Sequence, residues 1–127
     1  MAHILIVDDD AQIRATMSEF LGKLGHDVAV AANGREAVKQ LAASKVDLML
    51  LDIIMPEQDG IGTILEIMHL PERPVIIVIS GGSRSLDTAF IQSITAKLPV
   101  AEFLQKPVNL NVLGAAIEKA LAAPAAY

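Results

Sequence analysis

The strongest constraint on this chain is an alternation. Short aliphatic runs take turns with longer stretches whose apolar residues recur at helical spacing. His3–Val7, Val28–Ala31, Leu48–Leu51, Val75–Ile79 and Glu102–Gln105 read as strands, and Val75–Ile79 is wholly β-branched. Between them, Ile13, Met17, Phe20, Leu21 and Leu24 share one helical face, and Ala37, Val38 and Leu41 another. Ile61, Ile64, Leu65 and Met68 suggest a third helix, Leu86, Phe90, Ile91 and Ile94 a fourth, and Leu113, Ile117 and Leu121 a fifth. The punctuation agrees. Asp10, Asn33 and Asn109 stand where N-caps belong, Glu36 completes a capping box with Asn33, and Gly25 ends the first helix. Strands that are apolar along their length are buried on both faces, as in a parallel sheet with helices on each side. Right-handed crossovers then favour a doubly wound α/β fold of five parallel strands, in the order 2-1-3-4-5.

The 127 residues suit one domain, expected over residues 1–122, with 123–127 as a flexible tail. Aromatics make up only 3% of the chain, so the core must be aliphatic. The absence of Cys removes disulfides, thiolate metal sites and thiol nucleophiles together, and fits the cytoplasm. No basic leader precedes the first strand, so no signal peptide is read, and the apolar runs are too short to span a bilayer. A net charge of −5 argues against direct nucleic-acid contact and against an anionic membrane surface. A monomer or weak dimer is expected.

In such a sheet, ligands bind beyond the carboxyl ends of the strands. Here strand one ends in Asp8-Asp9-Asp10, strand three in Asp52, strand four in Ser80 and strand five in Lys106. Carboxylates brought together repel one another and call for a cation among them. Hard oxygen donors without thiolates point to Mg²⁺, with Mn²⁺ as a substitute. Asp52 is the candidate nucleophile, since a carboxylate can form an acyl phosphate. Lys106 would neutralise a phosphoryl oxygen and Ser80 would hydrogen-bond another. Taken singly, Asp10 reads better as a cap than a ligand, and Ser80 and Lys106 are ordinary surface residues. Their joint placement carries the signal. Asp47 falls on the opposite rim and reads as a solvated turn residue, and His3, His26 and His69 lack ligand spacing.

Four segments, Ile4–Asp10 with Arg14, Leu50–Pro56 with Asp59-Gly60, Val78–Gly81 and Phe103–Pro107, resemble the receiver domain of two-component response regulators. This is the CheY-like family, with a flavodoxin-like fold. The resemblance spans essentially the whole chain. It implies that Asp52 is the phosphoacceptor for a phosphohistidine on a histidine kinase or phosphotransfer protein. It implies that Asp8, Asp9, Asp52 and the backbone carbonyl of Ile54 bind Mg²⁺. Ser80 and Phe103 would form a switch, Lys106 would contact the phosphoryl group, and the Lys106–Pro107 bond is expected to be cis. The fourth helix, fifth strand and fifth helix would dock a downstream protein. The chain would then be a phosphoacceptor rather than an enzyme with turnover, catalysing its own phosphoryl transfer and a slow dephosphorylation. Slowness follows from Ile54 and Gly82, whose side chains cannot orient a water.

Three other readings compete. A flavodoxin needs a hydroxyl- or glycine-rich phosphate loop after strand one, where this chain has three Asp. A haloacid-dehalogenase-type phosphatase needs an Asp two residues past the nucleophile, where this chain has Ile54. A pseudo-receiver, working as a phosphorylation-independent interaction module, would not need the full set of Asp8, Asp9, Asp52, Ser80 and Lys106. No output-domain sequence follows the last helix, which suits a stand-alone domain and a piece of a longer protein alike.

Overall fold

The computed structural model describes residues 2–52, 60–80 and 100–122. In chain order these form β1 (His3–Val7), α1 (Ala11–Lys23), β2 (Asp27–Ala31), α2 (Gly34–Ala43), β3 (Leu48–Asp52), α3 (Gly60–Ile67), β4 (Val75–Ser80), β5 (Val100–Gln105) and α4 (Leu110–Ala122). The five strands make one parallel sheet in the order β2-β1-β3-β4-β5, the order expected from the sequence. The helix expected over Leu86–Ile94, together with Ile54, Gly82 and the tail from position 123, lies outside the described residues.

Side chains alternate across a strand, so each central strand feeds two cores. Leu5, Val7, Met49, Leu51, Ile76 and Val78 point to one face and meet Ala37 of α2 and Ile64 and Ile67 of α3. Ile4, Ile6, Leu48, Leu50, Ile77 and Ile79 point to the other and meet Met17 and Leu21 of α1 and Leu113 and Ile117 of α4. Every one of these twelve strand residues is at most 3% exposed. Each is worth about 1.5–3 kcal/mol of burial, so the three central strands are the rigid base on which the rim is mounted.

Burial on both faces holds for β1, β3 and β4 but not for the sheet edges. Val30 of the edge strand β2 is 41% exposed, because nothing pairs beyond it among the described residues. Leu24, Leu65 and Met68 also stand exposed rather than in the helix stripes. Leu24 caps α1 after its helical phase has ended, and Leu65 is turned one position away from buried Ile64. β5 starts at Val100, two residues before the expected Glu102. A bulge lies there, with Ile76 opposite Val100 and Ile77 opposite Glu102, and it breaks the period that sequence reading relies on. Asp47 also does more than the expected solvated turn residue. Its Oδ2 accepts the His3 N–H at 2.8 Å, its N–H donates to the His3 carbonyl and its carbonyl accepts from Val75. It thus ties the starting ends of β1, β3 and β4 together.

The helix ends follow from local chemistry. Asp10 accepts the N–H groups of Gln12 and Ile13, and Asn33 accepts that of Glu36. At the end of α1, Gly25 N–H bonds to the Gly22 carbonyl and His26 N–H to that of Leu21. This double closure needs a left-handed residue, and Gly25 supplies it with φ of 96°. Gly22 and Gly114 have no such excuse. A Cβ at Gly22 would meet nothing within 4 Å, and one at Gly114 would touch the Phe20 ring at an ordinary 3.5 Å. Gly25→Ala should therefore cost about 1–2 kcal/mol. Gly22→Ala and Gly114→Ala should each gain about 0.5–1 kcal/mol. Urea unfolding checks all three, and a neutral Gly25→Ala would contradict the helix closure described.

Candidate functional site

The register brings the strand ends to one rim. Val7 pairs with Leu51, Leu51 with Val78, Asp52 with Ile79, and Ser80 with Gln105. Asp8, Asp52, Ser80 and Lys106 therefore leave the sheet at nearly the same height. Asp52 is the last residue of β3 and 4% exposed, and Asp8, just past β1, is 3% exposed. Carboxylate oxygens of Asp8, Asp9 and Asp52 all lie within 4.8 Å of one another, with Asp9 the exposed member.

Lys106 closes the cluster. Its Nζ stands 2.9 Å from Asp8 Oδ2 and donates to Asp52 Oδ2 at 3.2 Å. Burial disfavours this ammonium, but the hydrogen bond to Asp8 and the charges of Asp52 and Asp8 outweigh it, and its pKa lies above the ordinary lysine value. One ammonium among three carboxylates leaves the cluster with an excess of two negative charges. Such an excess in a largely buried place favours a divalent cation. The all-oxygen donor set fits Mg²⁺, which binds to one or two carboxylates and keeps waters for a phosphate to displace.

The remaining candidates are placed as follows. Ser80 is the terminal residue of β4, one position past the partner of Asp52; its side chain lies outside the described residues. Phe103 of β5 is half-buried opposite Val78, against the core beneath α2 and α3. The Lys106–Pro107 peptide is cis. Ile54 lies outside the described residues. Asp10 faces α1 as its N-cap. His26 Nδ1 accepts the Ala2 N–H, and His3 pairs with Asp27 at 3.4 Å, both at the starting ends of β1 and β2, opposite the acidic rim.

Among the described residues, a groove of about 630 Å³ runs beside the rim between α1 and the Lys106–Pro107 segment, lined by Ile13, Thr16, Met17, Val108 and Leu110. A slightly larger one, about 700 Å³, opens at the opposite end of the sheet near Asp47 and Pro74, remote from every residue of the acidic cluster. Size is therefore a poor guide to the chemistry here. Sequence reading also gave no role to Arg14. Its Nη1 donates to the Asp8 carbonyl at 2.8 Å, from four residues past the cap of α1. Its position on the first turn of a helix that starts at the acidic rim was the available signal.

No helix among the described residues is long and apolar enough to cross a membrane. Residues 4–118 match the family model of the response regulator receiver domain. The transcriptional regulatory protein ZraR of Escherichia coli K12 is 39% identical over 120 residues, covering 94% of this chain and 26% of that protein. A CheY-like receiver domain from Methanospirillum hungatei superposes with a TM-score of 0.85 at 26% identity, over 95% of this chain and 94% of that one. The beryllium-fluoride-activated receiver domain of RstA from Klebsiella pneumoniae gives 0.84 at 26% identity, over 95% and 99%. The chain spans about a quarter to a half of the length of the curated relatives it matches. Those relatives are transcriptional regulators, so the expectation of no nucleic-acid contact does not extend to a longer protein that carries this domain. With its acidic rim, five-stranded order and family match over residues 4–118, the chain belongs to the response regulator receiver domains of two-component systems.

Proposed function

We propose that the domain takes a phosphoryl group onto Asp52 from a phosphohistidine on a histidine kinase or phosphotransfer protein, in the cytoplasm. The observation that carries this reading is the buried Asp52 carboxylate with the Lys106 ammonium 3.2 Å away, beside Asp8 and Asp9. An Asp52 oxygen attacks phosphorus, the phosphorus–nitrogen bond breaks, and its electron pair stays on the imidazole, which takes up a proton from solvent. The product is an aspartyl phosphate. Lys106, already directed at the acceptor, shifts from carboxylate to phosphoryl oxygen as charge moves there. Asp8, Asp9, Asp52 and the Ile54 carbonyl would hold Mg²⁺. When bound, the ion neutralises charge on the phosphoryl oxygens.

Ser80 would follow the phosphoryl group, and Phe103 would change rotamer with it. That exchange would bias the surface made by the expected fourth helix, β5 and α4 toward a downstream protein. Asp52 returns only when the acyl phosphate is slowly hydrolysed, so the domain would act as a phosphoacceptor that catalyses its own phosphoryl transfer and slow dephosphorylation rather than as an enzyme with rapid turnover.

Incubation with acetyl phosphate and Mg²⁺ should add one phosphoryl group to the wild type by intact mass. Asp52→Asn, or wild type with excess EDTA, should add none. Equal labelling of Asp52→Asn would place the acceptor elsewhere. Once formed, the phosphoryl group should persist for minutes or longer without a phosphatase, because neither Ile54 nor Gly82 can orient a water. Loss within seconds, followed by the same mass measurement, would contradict that.

A further inference from the structure

Asp9 is the odd member of the acidic cluster. Asp8 has every polar group engaged: its N–H donates to the Ala31 carbonyl, its carbonyl accepts from Arg14, its Oδ1 accepts the Asp10 N–H and its Oδ2 meets Lys106. Asp10 is committed to capping α1. Asp9 is exposed, and among the described residues no group holds its carboxylate. With no partner among the described residues, the direction in which its side chain leaves the chain is set by its backbone.

Two peptide planes meet at the Asp9 Cα. The plane after it carries the Asp10 N–H, pinned at 2.9 Å to Asp8 Oδ1. The plane before it carries the Asp8 carbonyl, pinned at 2.8 Å by Arg14 Nη1. Arg14 is itself anchored, since its N–H bonds at 3.0 Å to the carbonyl of the cap residue Asp10. Helical side chains lean toward the N-terminus, so a long donor on the first turn reaches back over the loop that precedes it.

We propose that Arg14 is a positioning residue for the metal site: by fixing the Asp8–Asp9 peptide it aims the Asp9 carboxylate at the cation. This rests on the proposed function, and it differs from a charge effect in sign. As a bare positive charge beside an acidic cluster, Arg14 would repel a divalent ion, and its removal would tighten binding. As a clamp, it strengthens binding, and its removal weakens it. Groups that orient metal ligands typically control affinity by about 10–100-fold.

The test is Mg²⁺ titration by calorimetry, with melting in EDTA recorded alongside to separate fold stability from metal affinity. Arg14→Met should weaken Mg²⁺ binding about tenfold. Arg14→Lys, which keeps one donor, should fall between Met and wild type. In an Asp9→Asn background the Arg14→Met change should largely disappear, because the ligand it aims has already been lost. Binding in Arg14→Met that matches or exceeds wild type would overturn the proposal, whatever its melting temperature. So would an equal loss in both backgrounds. A wild type that binds no Mg²⁺ would overturn the proposed function as well.

Discussion

Everything at the functional end of this molecule turns on one ammonium group shared between two buried carboxylates. Lys106 reaches across from the end of β5 to touch Asp52 at 3.2 Å and Asp8 at 2.9 Å. Burying a carboxylate costs several kcal/mol unless it is paired, and here one cation serves two buried acids with a third nearby. The pairing offsets the buried negative charge only in part. That shortfall would favour a divalent ion, which the proposed phosphoryl transfer calls for. A fully compensated cluster would be more stable and chemically idle.

The sheet makes the sharing geometrically feasible. Lys106 and Asp8 are separated by 98 positions in sequence, but both follow directly on strands of one parallel sheet. Parallel pairing puts their strand ends on the same rim, and the two aliphatic cores hold the register. A slip of one residue in β3 would turn Leu50 and Leu51 to the wrong cores and swing Asp52 to the other face. The bulge at β5 belongs to the same logic. It resets the pairing so that Phe103 stands opposite Val78 and Gln105 opposite Ser80, with Lys106 next.

The fold was legible because its signals are local and redundant. Val75–Ile79 is β-branched throughout, Asp10 and Asn33 cap through their own side chains, and the alternation of elements leaves few topologies open. The acidic cluster was legible because topology alone gathers strand ends. What escaped depends on contacts between distant or oddly phased residues. Asp47 looked like a solvated turn, since nothing nearby in sequence reveals that His3 and Val75 would use it. The start of β5 was misplaced because a bulge breaks the period of two. Arg14 bears on a backbone carbonyl, which every residue has, so the sequence marks no partner for it.

A crystal structure of the protein with Mg²⁺ and beryllium fluoride, a phosphoryl mimic, decides whether this rim is built for phosphoryl chemistry. The beryllium should be bonded to an Asp52 oxygen, with Mg²⁺ among Asp8, Asp9 and Asp52 and with the Lys106 ammonium moved onto fluoride. Beryllium fluoride on another residue, or an empty rim with Lys106 still bound to Asp8 and Asp52 at saturating ligand, would contradict it.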